Sequence, residues 1–316
     1  MKIGTIADLH IDRHNKKTSE DYLEALVEIV KYKKLDILLI AGDISNHYQL
    51  THQFITQLTK QLDIPVKFVP GNHDLWEVES MTTQDIWNNY KSMSQCLVGK
   101  PFIVNEEWAI IGHTGWYDYS FAAQRFSLEH LQKGKHYGAT WQDKERISWG
   151  ISDQNLSKIA AEQVKKDILE VGNRRVILVT HVVTHPDFIV PMPHRIFDFY
   201  NAFIGTSDFN PLYAMFDIPY SIMGHVHFRK SVMDDGRCYL CPCLGYPRQW
   251  RSEDIYQEIN ETIQIIEFKM RKPDPVCAFY VLHTRVMCLL TCVYFVVDFQ
   301  LYMNVVAHKC IFFLVN

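Results

Sequence analysis

The sequence predicts an α/β fold, and three observations lead there. Short apolar runs alternate with stretches of helical periodicity, the pattern of layered sheets and helices. Five of those runs finish on Asp, Asn or His, and in open α/β sheets the carboxyl ends of strands carry the ligands. The composition is that of a globular chain of 316 residues, 47% hydrophobic and 22% charged. It excludes intrinsic disorder, a collagen-like repeat and a coiled coil. With 32 basic against 36 acidic residues there is no global charge signature for nucleic acid.

Taken in order, residues 2–7 read as a buried strand, and no signal peptide is expected ahead of it. Apolar residues at 22, 23, 26, 27, 29 and 30 predict a helix over 21–32. A buried strand follows at 36–41, a helix at 49–62 and strands at 65–69 and 108–111. A long amphipathic helix is predicted over 153–171, with Ser152 or Asp153 as its cap. Strands follow at 175–180 and 220–223. Asp235-Gly236 marks a hairpin between strands at 229–234 and 237–241. Residues 262–268 alternate and read as a closing strand.

Composition breaks at Pro273-Asp274-Pro275. Of the 44 residues from there on, 31 are hydrophobic and four are charged, with no Gly, Ser, Glu or Trp. The apolar run from 286 to 297 is too short for a clean membrane span, which needs about 20 residues. A poor membrane anchor and an extra strand layer are alternatives. Out-of-frame translation is the favoured reading, because turn and cap chemistry is missing. The functional domain is expected over 1–272 and the atypical tail over 273–316.

The eight cysteines do not form a disulfide framework, since the middle of the chain has none. Cys238, Cys241 and Cys243 read as buried strand thiols rather than a soft metal site, because no second ligand pair stands at zinc-finger spacing.

Fifteen histidines raise the question of where they sit. The strand ends carry Asp8 and His10, then Asp43, then Asn72, His73 and Asp74, then His181, and last His225 and His227. Carboxylate, imidazole and amide oxygen together suit Mn²⁺, Fe²⁺ or Zn²⁺, whereas an all-oxygen set would suit Mg²⁺ or Ca²⁺.

In that order the blocks Asp8-x-His10, Gly42-Asp43, Gly71-Asn72-His73-Asp74, His181 and Gly224-His225-x-His227 resemble the calcineurin-like metallophosphoesterase superfamily over roughly residues 1–270. The resemblance implies a four-layer α/β/β/α sandwich and metal-dependent hydrolysis of a phosphate ester by a metal-bridging hydroxide. It implies two divalent metal ions, one held by Asp8, His10, Asp43 and His227, the other by Asp43, Asn72, His181 and His225. His73 would be the catalytic non-ligand, with Asp74 accepting from its other ring nitrogen. The expected substrate is a small phosphorylated molecule, a phosphodiester or nucleotide first, a phosphomonoester or pyrophosphate second. A non-catalytic metal-binding scaffold for a protein partner is the rival from another class. Specific nucleic-acid binding is not expected, nor membrane association unless the tail is an anchor. Reduced thiols point to the cytoplasm.

Other residues carry weaker signals. His113 follows a strand and a glycine, and is read either as a neighbour of the site or as structural. Arg13 and His14 read first as a solvated loop, with contact to an anionic substrate as the alternative. His47 and His52 read as helix-surface residues, and Lys31, Lys33 and Lys34 as a solvated helix end. His185 and His194 flank a loop after His181. Two cap-like insertions, at about 113–150 and 184–218, carry many aromatics, which either line a pocket or form a local core.

Overall fold

The computed structural model describes residues 1–78 and 80–268. The tail and its three readings lie outside the described residues.

Strand β1 (Lys2–Ile6) leads to helix α1 (Ser19–Lys33), β2 (Ile37–Ala41), α2 (Tyr48–Gln61) and β3 (Val66–Val69). Thr18 starts α1, accepting from the Asp21 N–H while Asp21 accepts from the Thr18 N–H, so two otherwise orphaned donors are satisfied. The helix ends at Lys34 in the left-handed region. Every residue of β2 is buried, as expected of a parallel strand covered on both faces. The chain continues through α3 (Thr83–Ser92), β4 (Phe102–Ile103), β5 (Trp108–His113), α4 (Leu128–Lys133), the ribbon β6 (Lys135–His136) and β7 (Ala139–Thr140), α5 (Asp143–Arg146), α6 (Asp153–Glu170) and β8 (Arg175–Thr180). It closes with α7 (Phe197–Tyr200), α8 (Asn210–Met215), β9 (Tyr220–Ile222), β10 (Arg229–Asp234), β11 (Arg237–Pro242), α9 (Ile255–Thr262) and β12 (Gln264–Glu267).

These strands build two sheets, ordered β12-β1-β2-β3 and β10-β11-β9-β8-β5-β4. The first is parallel except for β12, which pairs Glu267 with Lys2. The second is parallel from β11 through β9 and β8 to β5, with antiparallel edges. The sheets touch where β1 meets β11 and β3 meets β5. Helices α1, α2 and α9 pack together, and α6 packs against β5. This is the four-layer sandwich. At one seam the main chain itself crosses from sheet to sheet: Ala7 pairs with Cys243, and the Leu244 N–H donates to the Ala7 carbonyl.

Most predicted elements fall within two residues of their observed bounds. Six helices have no counterpart in the sequence reading: α3 and α9, and the short α4, α5, α7 and α8 of the two insertions. Thr262, predicted to open the last strand, instead ends α9, where its hydroxyl donates to the Glu258 carbonyl and extends the helical bonding. Of the insertion aromatics, Trp116, Tyr117, Phe199, Phe203 and Phe209 are essentially buried, Tyr137 is exposed, and Tyr119 and Trp149 help line a pocket beside Asp143. Among the described residues no helix is long and apolar enough to cross a membrane.

Candidate metal centre

Five parallel strands end on one side of the two sheets, and the loops that follow them converge. Asp8 and His10 follow β1, Asp43 follows β2, Asn72 follows β3, His181 follows β8, and His225 and His227 follow β9. The backbone there is bent hard. Nine non-glycine residues among those described have positive φ, and five of them are Asp8, His10, Asp43, His225 and His227. Each such residue costs about 1–2 kcal/mol, and a cluster of them at one place points to function rather than folding. Two glycines make the bends possible. Gly42 has φ +84°, and a Cβ on it would lie 2.6 Å from the Gly71 nitrogen. A Cβ on Gly71 would lie 2.1 Å from Asp43 Oδ1.

The result is two sets of ligand-type atoms sharing one carboxylate. In one, single atoms from Asp8, His10, Asp43 and His227 lie within 4.8 Å of one another; in the other, atoms from Asp43, His181 and His225 do the same. His10 Nε2 and His227 Nε2 face each other at 3.0 Å, and His227 Nε2 lies 3.4 Å from Asp8 Oδ1. His181 Nε2 sits 3.3 Å from Asp43 Oδ1, 3.1 Å from His225 Nδ1 and 2.9 Å from Asn72 Oδ1.

Whether this fits a cation is decided by where the protons go. His181 Nδ1 lies 2.8 Å from the Ala41 carbonyl and His225 Nε2 3.0 Å from the Phe203 carbonyl, so each ring N–H is directed outward. The Asn72 amide N–H₂ donates to both oxygens of Asp143 at 3.0 Å, which turns its carbonyl oxygen inward. Four acceptors, with no donor among them, therefore point at one spot. Acceptors in contact repel unless a positive charge lies between them. Asp43 Oδ2 and His10 Nδ1 are buried with no hydrogen-bond partner, and a buried carboxylate oxygen left this way is costly. The residues fit a divalent ion in each set.

The electrostatics of the cluster carry the same message. Burial opposes charge on His181, yet Asp43 beside it holds the imidazole up to about 9, the mark of a place that favours positive charge. Burial pushes Asp43 up, but His181 and His73 outweigh it and hold the carboxyl well below its ordinary value. Burial pushes His225 down to about 3, with His181 adding to the effect.

His73 stands beside the sets, its Nε2 3.9 Å from Asp43 Oδ2. Its other nitrogen corrects one expectation. His73 Nδ1 meets Asn46 Oδ1 at 2.7 Å, not Asp74. The Asp74 carboxylate is fully buried beneath the loops and accepts from the Ile44, Ser45 and Gly71 N–H groups and the Thr51 hydroxyl. The 3-10 turn His73–Leu75 sends these adjacent side chains in different directions. Asp74 ties the loop carrying Asp43 to the loop carrying Asn72.

Four further residues support the site. Asp143 also accepts from the indole N–H groups of Trp76 and Trp141, 2.8 and 2.9 Å away. Trp76 lies under the His73 ring, centroids 4.1 Å apart. Gln249 Oε1 lies 3.2 Å from His227 Nδ1. The Tyr246 ring packs 4.5 Å from both His10 and His227. Asn46 was readable, three residues after Asp43. Asp143, 71 positions from Asn72, had no local signal.

The other histidines do other work. His113 packs on Trp87 and accepts from the Gly115 N–H, and burial pushes its pKa down to about 3. His185 faces Asp234 at 3.2 Å, and His194 accepts from the Ile196 and Phe197 N–H groups. His47 and His52 lie at the start of and within α2, and Lys31 and Lys33 in the last turn of α1.

Comparison with known proteins agrees with this geometry. A family model described as calcineurin-like phosphoesterase matches residues 1–229. An [acyl-carrier-protein] phosphodiesterase, PptH of Mycobacterium tuberculosis, is 22% identical over 280 residues, 83% of each chain. A probable cyclic nucleotide phosphodiesterase of Fibrobacter succinogenes is 32% identical over 84 residues, so this chain spans 32% of that relative's length and 25% of its own. The crystal structure of the M. tuberculosis phosphopantetheinyl hydrolase shares the fold, with a TM-score of 0.66 at 18% identity, covering 87% of this chain and 96% of that one. With seven ligand-type side chains gathered at the strand ends and the family model spanning most of the chain, the protein belongs to the calcineurin-like phosphoesterases, metal-dependent hydrolases of phosphate esters.

Proposed function

We propose that this protein hydrolyses a phosphodiester on two divalent metal ions, with Asp8, His10, Asp43 and His227 holding one and Asp43, Asn72, His181 and His225 the other. The reading rests above all on the inward-facing acceptors around His181, which have no donor among them. Mixed oxygen and nitrogen ligands favour Mn²⁺, Fe²⁺ or Zn²⁺. The chemistry such a pair supplies when bound is Lewis acidity toward phosphoryl oxygens and a lowered pKa for water.

The chain's own part is orientation and proton handling. Burial pushes His73 down to about 4 although Asp43 works the other way, so the free ring is neutral at pH 7. Asn46 Oδ1 accepts a hydrogen bond from the Nδ1–H, and Nε2 faces the centre with its lone pair. A phosphate arriving there stabilises a second proton on Nε2, and His73 delivers it to the leaving oxygen. Trp76 beneath the ring and Asn46 at its edge fix its plane. Asp143 keeps the Asn72 carbonyl oxygen turned inward.

A diester is favoured over a monoester because two cations and a histidine suit a monoanionic phosphate, and both relatives named above are called phosphodiesterases. The substrate is a small phosphorylated molecule or a small phosphorylated arm. The cytoplasm is the proposed compartment, in keeping with Cys241 and Cys243, which remain thiols at 3.6 Å.

The test is hydrolysis of bis-p-nitrophenyl phosphate against p-nitrophenyl phosphate by the Mn²⁺-loaded chain, each beside His73→Ala. Diester turnover that falls by about 10²–10⁴-fold in the variant is expected. Faster monoester turnover would reassign the substrate class. Two bound metals with no turnover of either would favour the scaffold.

A further inference from the structure

Beside the metal centre, with Tyr246 between them, lies a recess of about 810 Å³, within the size range of small-molecule sites. Tyr246 is the shared wall: its ring packs on His10 and His227 on one side and lines the recess on the other. The loop after β1 and the loop after β11 form the remaining walls. They bring in Arg13, Lys16, Lys17, Arg248 and Arg251 against one acid, Glu253.

Two of these cations have neighbours of opposite charge. Arg13 Nε lies 3.7 Å from Asp12 and Lys17 Nζ 3.9 Å from Asp21. Lys16, Arg248 and Arg251 have no acidic partner within 4.0 Å among the described residues. In a chain of formal charge −4, three uncompensated cations around one recess are a local feature with no global cause. Flat surfaces accompany them. Arg248 lies over the Tyr246 ring, 5.0 Å from its centroid, and Trp250 faces His14 at 5.4 Å.

We propose that this recess binds a second anionic group of the substrate, a phosphate carried on the same small molecule as the scissile phosphodiester, with the part that joins them lying against Tyr246. The inference rests on the phosphodiesterase reading and specifies its substrate. A recess of this volume, walled by aromatic rings, fits a small bisphosphorylated ligand better than the broad face of an acidic protein. With 32 basic against 36 acidic residues, the chain has no global charge signature for a nucleic-acid track.

The test compares two chromogenic diesters differing by one phosphate, thymidine 5′-(p-nitrophenyl phosphate) with and without a 3′-phosphate, on the full Mn²⁺-loaded chain. The 3′-phosphate is expected to raise kcat/KM about 10-fold or more through KM, the size of one charge-assisted contact. In Lys16→Ala/Arg248→Ala the ratio between the two substrates should collapse toward one, and Arg248→Lys should restore part of it. Calorimetric binding of thymidine 3′,5′-bisphosphate against thymidine 5′-phosphate gives a readout that needs no turnover. A preference for the bisphosphate that the double variant abolishes supports the recess even if neither diester is cleaved, in which case only the catalytic reading fails. Equal affinity for the two nucleotides, or a preference the variant leaves intact, overturns the proposal.

Discussion

The two halves of the candidate centre are built on different footings. Around His181 every outer group is anchored to something rigid: His181 to the Ala41 carbonyl, His225 to the Phe203 carbonyl, and Asn72 to a buried carboxylate that is itself held by two indoles. Around His10 the anchoring is thinner. His227 leans on the side chain of Gln249 and keeps 14% of its side-chain exposure, while His10 Nδ1 has no partner at all. Preorganised ligands lose less freedom on binding. The His181 half should therefore hold its metal more tightly, and the His10 half should exchange first. The looser half also shares Tyr246 with the basic recess.

That contrast can be broken most completely at the residue both halves share. Asp43→Ala should abolish both metal-binding steps in a calorimetric titration and leave no metal-dependent turnover; one step surviving at its original affinity would mean that the halves do not share a ligand. The next largest effect belongs to the brace beneath them. Asp74→Ala strands three buried N–H groups and a hydroxyl, at about 1–3 kcal/mol for an unsatisfied buried group, and should cost about 3 kcal/mol or more of unfolding free energy in urea. If Asp74 instead oriented His73, stability would hold while the pH profile of kcat moved. Asp143→Ala removes the partner that turns Asn72, and should weaken the tighter step by about 10–100-fold while sparing the weaker one. The smallest change is expected from Gln249→Ala, less than about 10-fold and confined to the weaker step. Metal titrations in which Asp143→Ala and Gln249→Ala affect the same step would dissolve the distinction between the halves.

The legible part of this molecule was local, and the illegible part was long-range. Each of the seven ligand-type residues sits within a few positions of the strand that carries it, so an apolar run followed by Asp, Asn or His was enough to mark it. Parallel strands then bring such ends together without further instruction. The supporting residues have no such rule. Asp143 reaches Asn72 from a short helix after the β6–β7 ribbon, and Gln249 reaches His227 from a loop 22 residues on. Adjacency misled once: Asp74 follows His73 in sequence, yet the turn between them points its carboxylate into the floor. Arg13 and His14, read first as a solvated loop, line the basic recess, because β11 brings a second basic loop opposite them. Helix α9 is only eight residues long, Ile255–Thr262, and the strand-like alternation over 262–268 overlaps its end, so its own period is too short to stand out.

The pairing of β1 has a consequence for how the chain is made. Lys2 to Thr5 are flanked by β2 on one edge and by β12, some 260 residues later, on the other. During synthesis at about 5–20 residues per second, β1 waits on the order of 10–50 s after β2 emerges before its second neighbour exists. Throughout that interval an apolar strand presents an open edge, the kind that recruits other strands. Production of this protein at high expression should therefore respond to slower translation or to added chaperone more than the equilibrium stability of the finished sandwich would lead one to expect.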